Sequence, residues 1–327
     1  MLSCEPWKIL ISWAYASLAF ITPQYCFVKA WNDLTIKKIG ICARKTMPQT
    51  AIIVISSHVV RGTVGNRAAA FALEVLGFPV WCVPTITLPW HPGQGPGTRI
   101  VPPADAFSGL LDNLAESENL GEVGAVLTGY LGSADQVEPV ARLVEAVKTK
   151  NPDAVYALDP VIGDEGKLYV PVEQANLLKK RLLPLADMVT PNCFELEWIS
   201  GKKNLTNPQS VFTAAKTLDT KNIVVTSTPA GDQIGNMLVT RDGALLAKHN
   251  VSNGPPNGLG DLLAALMLGR IMDNHAPREA LKLSTASVVE VLEAALAVGS
   301  DELTLERNVG SLLAPTRDIN ISEITGE

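Results

Sequence analysis

The sequence has no cysteine pairs at motif spacing and no long run of Lys and Arg. The first absence argues against zinc-binding and disulfide-bonded proteins, and the second against nucleic-acid-binding proteins. Its five cysteines, at positions 4, 26, 42, 82 and 193, lack the spacing of a zinc site or a disulfide framework. The net charge is −6, the pI is about 5.4, and no run of Lys and Arg could follow a nucleic-acid backbone. We therefore expect a cytoplasmic protein with no nucleic-acid partner.

Long apolar runs are also scarce, and the one candidate for a membrane segment lies near the start. The run "ILISWAYASLAFITPQYCFV" (9–28) is interrupted by Pro23. Three interpretations remain open, in decreasing order of preference: a start-site artefact upstream of Met47, a membrane anchor and a signal peptide. We expect residues 1–46 to be an extension outside the fold, residues 47–327 to form one domain, and no membrane partner.

From residue 51 onward, short β-branched runs alternate with helix-like stretches. This alternation indicates βαβ units, and hence a mostly parallel sheet that is buried between helices. "NMLVT" and "ALLAK", on either side of Asp242-Gly243, predict antiparallel strands at one edge, and helices from 261 to about 299 complete a doubly wound α/β domain. The expected strands are 51–56, 80–86, 123–128, 154–159, 187–191 and 222–227, and the expected earlier helices are 65–76, 134–149 and 208–220.

Polar residues follow most of these strands, at the sheet edge where α/β folds bind ligands. Asp159, Asp164 and Glu195 would converge there, and they would repel one another unless a cation lay among them. Mg²⁺ that is held by few carboxylates together with nucleotide phosphates fits such a cluster. Each residue could separately be a turn or cap residue, but their joint occurrence favours the metal site.

A glycine-rich turn, Gly258-Leu259-Gly260, directly precedes Asp261 and a long apolar run. The backbone N–H groups of such a turn can bind an anion such as phosphate, and Asp261 would lie beside that anion as a base. The alternative is that Asp261 only caps the helix. The turn alone favours capping, whereas its occurrence together with the acidic cluster favours catalysis.

Five segments stand out in order along the chain: "SHVVRGTVGNRAAA", "LTGYLGS", "DPVIGDEGKLYVP", "LADMVTPNCFELE" and "NGLGD". Together they resemble the pyridoxal kinase family, which has a ribokinase-like fold. The resemblance follows the family's order from about residue 51 to about residue 315 and leaves out residues 1–46. It implies an enzyme that uses ATP to phosphorylate the 5′-hydroxymethyl group of pyridoxal, and also of pyridoxine and pyridoxamine, in vitamin B6 salvage.

The resemblance also implies a role for individual residues. Asp261 would take the proton from the attacking hydroxyl, and the residues before it would form the anion hole. The implied anion-hole residues are Gly258, Leu259 and Gly260, and the implied vitamer contacts are Ser57, Tyr130, His91 and Asp261. The implied ATP contacts are Asp159, Asp164, Thr190, Asn192, Glu195 and Ser227, with Asp159 and Glu195 as Mg²⁺ ligands and Tyr169 in the same covering loop as Asp164. The family further implies a homodimer and a monovalent cation such as K⁺ near the nucleotide.

One loop departs from the family. Where the family commonly has a polar "SNHT" loop over the substrate, this chain has "LPWHPGQGPGT" (88–98), which retains His91 but places Pro92 next to it. Proline offers no hydrogen-bond donor to the vitamer. We therefore leave the preferred vitamer open, and we weigh a substrate contact by His91 equally with a purely structural turn histidine.

Other functions remain as alternatives. A hydroxymethylpyrimidine kinase of the same fold also acts on a small aromatic alcohol, but the "SHVVRGTVGNRAAA" segment argues against it. A non-catalytic protein that binds B6 vitamers would have no need of a base beside an anion hole. A nicotinamide-dependent dehydrogenase is disfavoured because no G-x-G-x-x-G follows the first strand.

Overall fold

The computed structural model describes residues 50–252 and 254–325, so the expectation about residues 1–46 falls outside the described residues. Nine strands form one sheet, and two further strands form a small separate hairpin. The strands are β1 Ala51–Val59, β2 Val80–Leu88, β3 Val123–Thr128, β4 Val155–Leu158, β5 Gly163–Asp164, β6 Lys167–Leu168, β7 Met188–Val189, β8 Asn222–Ala230, β9 Gln233–Thr240, β10 Gly243–Asn250 and β11 Asn320–Ile324.

The large sheet has a parallel part and an antiparallel edge. Its spatial order is β11-β10-β9-β8-β7-β4-β3-β1-β2. Every neighbouring pair from β2 to β8 is parallel, and β8, β9, β10 and β11 pair antiparallel. The doubly wound sheet with antiparallel edge strands that the sequence predicts is therefore confirmed.

Helices cover both faces of the sheet, which explains why its strands read as nearly continuous apolar runs. Side chains of β1 alternate between two cores: Ile53 and Ile55 pack in one, Ile52 and Val54 in the other. Helices α2 to α6 contribute to the first core, and α1, α7, α8 and α9 to the second. These helices are α1 Asn66–Val75, α2 Ala104–Ala115, α3 Val137–Lys150, α4 Val172–Arg181, α5 Cys193–Ser200, α6 Pro208–Ala215, α7 Leu259–Met272, α8 Pro277–Ala297 and α9 Val309–Leu313.

Some boundaries differ from the expectation. The helix expected over 208–220 ends at Ala215, and the helical region from 261 to about 299 is two helices, α7 and α8. Strand β11 and the β5–β6 hairpin are additions. Through residues 50–252 and 254–325, none of the helices combines the length and the apolar character that crossing a membrane requires.

Candidate active site

The carboxyl ends of β1, β3, β4 and β7 lie side by side, because these strands are successive neighbours in the parallel part of the sheet. The chain leaves β1 towards β2 on one side and continues with β3 on the other, so the strand order reverses at β1. Open α/β sheets bind ligands at such a reversal. The predicted residues Ser57, Tyr130, Asp159 and Thr190 lie at or just after these strand ends.

Asp159 and Thr190 join two adjacent strand ends. The Thr190 hydroxyl donates to Oδ1 of Asp159 over 3.0 Å, and the two residues are only 3% and 7% exposed, respectively. Their backbone N–H groups donate to the carbonyls of Leu158 (3.0 Å, from Thr190) and Thr128 (2.8 Å, from Asp159). The Asp159 carboxylate is therefore positioned by the sheet rather than by a loop.

Asn192 and Glu195 form a capping box at the start of α5. Oδ1 of Asn192 accepts from the Glu195 N–H (2.9 Å), and Oε2 of Glu195 accepts from the Asn192 N–H (3.0 Å). Oε1 of Glu195 also accepts from the N–H groups of Ile162 (2.8 Å) and Gly163 (3.4 Å). Both carboxylate oxygens of Glu195 thus bind backbone N–H groups, so this predicted metal ligand is also a helix cap.

The buried carboxyl groups are difficult to ionise together. Burial raises the pKa of Asp159 well above its usual range, and the charges of Glu195 and Asp261 raise it further against the hydrogen bond from Thr190. Burial also raises the pKa of Glu195 to about 7 and the pKa of Asp261 to about 6. A cation or a positive dipole at this place would stabilise the ionised forms.

Asp261 connects two helix starts. It lies in the first turn of α7 and accepts a hydrogen bond from the backbone N–H of Gly65, which directly precedes α1. Gly258, before α7, has φ +99°, and a Cβ there would overlap the Thr63 carbonyl oxygen, so only glycine fits. A Cβ on Gly65 would overlap the backbone carbonyl and the hydroxyl of Ser57. The tight packing at the two glycines brings Asp261 and Ser57 into one cleft.

Two of the predicted vitamer contacts have partners of their own. The Tyr130 hydroxyl accepts from Nη2 of Arg99 over 3.1 Å. Nδ1 of His91 accepts from the Gly93 N–H over 3.1 Å, so the ring proton is on Nε2, and burial lowers the His91 pKa. His91 therefore caps a short turn, as its structural alternative predicts, while Nε2–H is left as a donor. Contact of either ring with a vitamer stays a prediction.

Ser227 lies at an irregularity of β8, where pairing with β9 shifts register between Val225 and Thr228. Its φ of +53° is in the left-handed region, which is uncommon for serine. The Cys193 thiol faces the carbonyl oxygens of Thr226 (3.8 Å) and Ser227 (3.7 Å). Sequence analysis does not single out Cys193 for the site, because a lone thiol carries no motif.

Asp164 and Tyr169 differ from the buried acids in being exposed. Oδ1 of Asp164 accepts from the Glu165 N–H (2.8 Å) within the β5–β6 hairpin, and Tyr169 is 57% exposed. The charge of Asp164 raises the pKa of Glu195, so the two groups are near each other. The predicted convergence of three acids is thus realised for Asp159 and Glu195, with Asp164 at the margin of the cluster.

The loop over residues 88–98 makes contacts that sequence analysis misses. Nε2 of Gln94 donates to Oδ2 of Asp301 (3.2 Å) and to Oε1 of Glu302 (3.3 Å). Both carboxylates also pair with Arg61, at 2.9 Å and 2.8 Å. Residues more than 200 positions apart meet here, and no local pattern could have indicated the pairing.

Comparisons with known proteins find similar kinases. A family model described as Phosphomethylpyrimidine kinase matches residues 111–306. The chain is 38% identical over 272 residues to pyridoxal kinase PdxY of Rubrobacter xylanophilus, covering 81% of this chain and 94% of that one. It is 33% identical to pyridoxal kinase PdxY of Deinococcus radiodurans, covering 83% and 95%. The solved structure of Leishmania donovani pyridoxal kinase in complex with ADP and pyridoxamine is similar, with TM-score 0.78, 26% identity, and 84% and 100% coverage.

Proposed function

The chain belongs to the pyridoxal kinase family, and from that premise we propose how it acts: with ATP, it phosphorylates the 5′-hydroxymethyl group of pyridoxal, and of pyridoxine and pyridoxamine. The observation that carries the proposal is the placement of Asp261. Asp261 lies in the first turn of α7, directly after the Gly258 turn, and lines one cavity with the buried acid Asp159, where we propose that an alcohol and a phosphate meet.

In the proposed reaction Asp261 accepts the proton of the vitamer hydroxyl. A base is most effective when its pKa lies near the working pH, and burial has raised the pKa of Asp261 to about 6. The N–H groups of Gly258, Leu259 and Gly260, at the start of α7, would stabilise the charge of the phosphoryl group during transfer. Ser57, Tyr130 and His91 would hold the vitamer ring.

The nucleotide would lie on the other side of the Gly258 turn. Asp159, Thr190, Asn192 and Glu195 supply hard oxygen and amide groups there, and Asp164 and Ser227 complete the proposed nucleotide contacts. Mg²⁺ fits this donor set through Asp159 and Glu195. It would supply the positive charge that offsets the phosphates. Among the described residues, no three or more His, Cys, Asp and Glu side chains form a metal cluster, and Mg²⁺ at phosphoryl-transfer sites keeps water and phosphate ligands.

The remaining proposals rest on the family relationship and the composition. Residues 47–327 would form one kinase domain that acts as a cytoplasmic homodimer, with a monovalent cation such as K⁺ near the nucleotide. ATP and a pyridoxal-type small molecule would be its ligands. The cysteine pattern, which offers no disulfide framework, supports the cytoplasmic location.

The test follows pyridoxal 5′-phosphate formation by its absorbance, with the full chain, ATP and Mg²⁺, and with reactions lacking ATP as the control. Pyridoxine, pyridoxamine and hydroxymethylpyrimidine are assayed in parallel for ATP consumption. We expect the B6 vitamers to be turned over with higher kcat/KM than hydroxymethylpyrimidine. A higher kcat/KM for hydroxymethylpyrimidine than for the B6 vitamers would support the alternative of a hydroxymethylpyrimidine kinase. The matching family model, described as Phosphomethylpyrimidine kinase, is named for a related pyrimidine substrate. Binding of pyridoxal without any turnover would support a vitamer-binding protein instead.

A further inference from the structure

Ser56, next to the predicted vitamer contact Ser57, has a buried hydroxyl whose role the proposed reaction leaves open. The residue is 3% exposed, and its Oγ has no hydrogen-bond partner among the residues that the structure describes. Its backbone carbonyl, by contrast, accepts from Nδ2 of Asn66 over 3.0 Å. A buried hydroxyl without a partner is unfavourable, so the Ser56 Oγ calls for an explanation.

The hydroxyl faces a small cavity at the floor of the cleft. The cavity volume is about 10 Å³, and its lining includes Ser56, Gly129, Asp159 and Asp261. A cavity of this size accommodates about one water molecule, and a water becomes stable there when it has two or more polar partners. The site therefore has the size that a single water requires. The side chains of Ser56, Asp159 and Asp261 offer polar partners among an otherwise mostly apolar lining, which includes Val54, Ala69, Leu127 and Ala264.

Gly129 shows where the polar groups point. A Cβ built on Gly129 would lie 2.5 Å from Oγ of Ser56 and 3.8 Å from Oδ1 of Asp261. Ser56 Oγ therefore packs directly against the Gly129 Cα, and the Asp261 carboxylate lies near the same point. A water in the adjoining cavity would accept a hydrogen bond from the Ser56 hydroxyl and donate one to the Asp261 carboxylate, which pairs both groups.

We propose that this cavity is a water-binding site, and that Ser56 positions Asp261 through the bound water. The role in catalysis rests on the proposed function; the water site itself does not. Asp261 already accepts the Gly65 N–H, and the water adds a second hydrogen bond that fixes the carboxylate. A base with two fixed partners keeps its orientation towards the substrate hydroxyl.

The direct test is a crystal structure of the full chain at a resolution that shows ordered water. We expect density within hydrogen-bond distance of Ser56 Oγ and Asp261 Oδ1. An empty cavity would overturn the proposal. Crystals grown with rubidium provide a second measurement. An anomalous signal at the same place would indicate a bound cation instead of a water, and it would also overturn the proposal. Neither result depends on activity, so the water site can fail while the kinase assignment stands.

The variants Ser56→Ala and Gly129→Ala test the role of the water. Ser56→Ala removes one partner of the water, and Gly129→Ala adds a methyl group 2.5 Å from Ser56 Oγ, which forces that hydroxyl away from the water. We expect each to lower kcat about three- to tenfold, the equivalent of one ordinary hydrogen bond, with the KM values for pyridoxal and ATP unchanged. The double variant should lose no more than the larger single loss, because both changes remove the same water.

An unpaired hydroxyl predicts the opposite behaviour. If no water binds, Ser56→Ala removes only an unsatisfied buried group, so its Tm rises and its kcat stays that of the unaltered chain. That result would overturn the proposal. Thermal unfolding of the same three variants also shows whether each is folded, so a lowered kcat in a folded protein with unchanged KM values supports the positioning role.

Discussion

The two sides of the cleft are held in place in different ways. On the phosphate side, Asp159 and Glu195 are 7% and 3% exposed, and most of their hydrogen bonds come from the backbone of neighbouring strands and turns. Hydrogen bonds that involve charged groups in a buried setting are among the strongest in proteins. The fold itself therefore positions the groups of this side.

On the proposed vitamer side, the loop over residues 88–98 has backbone hydrogen bonds at its start, from Val60 to Leu88 and from Arg61 to Pro89, whereas its tip is held by side-chain pairs at the surface. Gln94 contacts Asp301 and Glu302, and the Arg61 and Asp301 side chains that complete this cluster are 54% and 63% exposed. Exposed ion pairs contribute little to stability. From this difference we predict that the proposed phosphoryl transfer depends on the sheet, whereas the proposed vitamer contacts depend on weaker surface contacts. Four predictions test that division, beginning with the largest expected effect.

Replacing the base should remove nearly all activity. We expect Asp261→Asn to lower kcat by about a hundredfold to ten-thousandfold, because the amide cannot accept the hydroxyl proton. The KM values should change little, and the variant should fold because Asn retains an acceptor for the Gly65 N–H. The measurement is pyridoxal 5′-phosphate formation. Asp153→Asn, an exposed residue just before β4 at the opposite end of that strand from Asp159, is the matched control. Equal kcat in the two variants would contradict the assignment of the base.

Replacing the buried cap should weaken both the nucleotide site and the fold. Both oxygens of Glu195 accept backbone N–H groups, so in Glu195→Gln the side-chain amide would face an N–H and leave a buried donor unsatisfied. We expect a loss of about 1–3 kcal/mol in the free energy of unfolding, and about a ten- to hundredfold loss in kcat/KM for ATP. Denaturant unfolding and steady-state kinetics measure the two effects. Glu173→Gln, exposed at the start of α4, should change neither, and equal effects would contradict the comparison.

Much of the phosphate side could be predicted from the sequence, because its signals are local. The "NCFE" segment has capping-box spacing, and Asp159 directly follows a buried apolar run. The same applies to the parallel sheet, whose six predicted strands are all present. The vitamer side carries few such signals. The partners of Gln94 lie more than 200 residues away, and the Ser56 hydroxyl is unpaired only because of how β1, β3 and α7 pack.

The elements that sequence analysis missed, or gave the wrong boundaries, have the same physical cause: contacts with distant parts of the chain. Strand β11 has only two apolar residues in "NISEI" and forms because β10 offers an open edge. The helix that ends at Ala215 instead of 220 is followed by Lys216 and Thr217 in a turn, and the strand β8 that follows fixes where the chain must reverse. In each case tertiary contacts determine where the element begins or ends, and these contacts cannot be read from a short window of sequence.

Acid should affect activity in a direction that the Asp261 environment sets. Its pKa is raised to about 6, and the base works only when ionised, so kcat should fall as the pH drops below about 6. At one pH unit lower we expect about a tenfold loss, because the ionised fraction falls tenfold per unit. The pH–rate profile at saturating ATP and pyridoxal measures this. A profile that stays level down to pH 5 would contradict the assignment.

The smallest effect should come from the loop contacts, and it should fall on one substrate only. Gln94→Ala removes the hydrogen bonds to Asp301 and Glu302, which together are worth about 1 kcal/mol at a partly exposed site. Because we propose that the loop covers the vitamer, we expect the KM for pyridoxal to rise about two- to fivefold, while the KM for ATP stays within error. Gln209→Ala on α6 is the matched control. A rise in the KM for ATP of the same size would show that the loop and the phosphate side act as one unit. The contacts of Gln94 would then help to position the proposed nucleotide site as well as the proposed vitamer site.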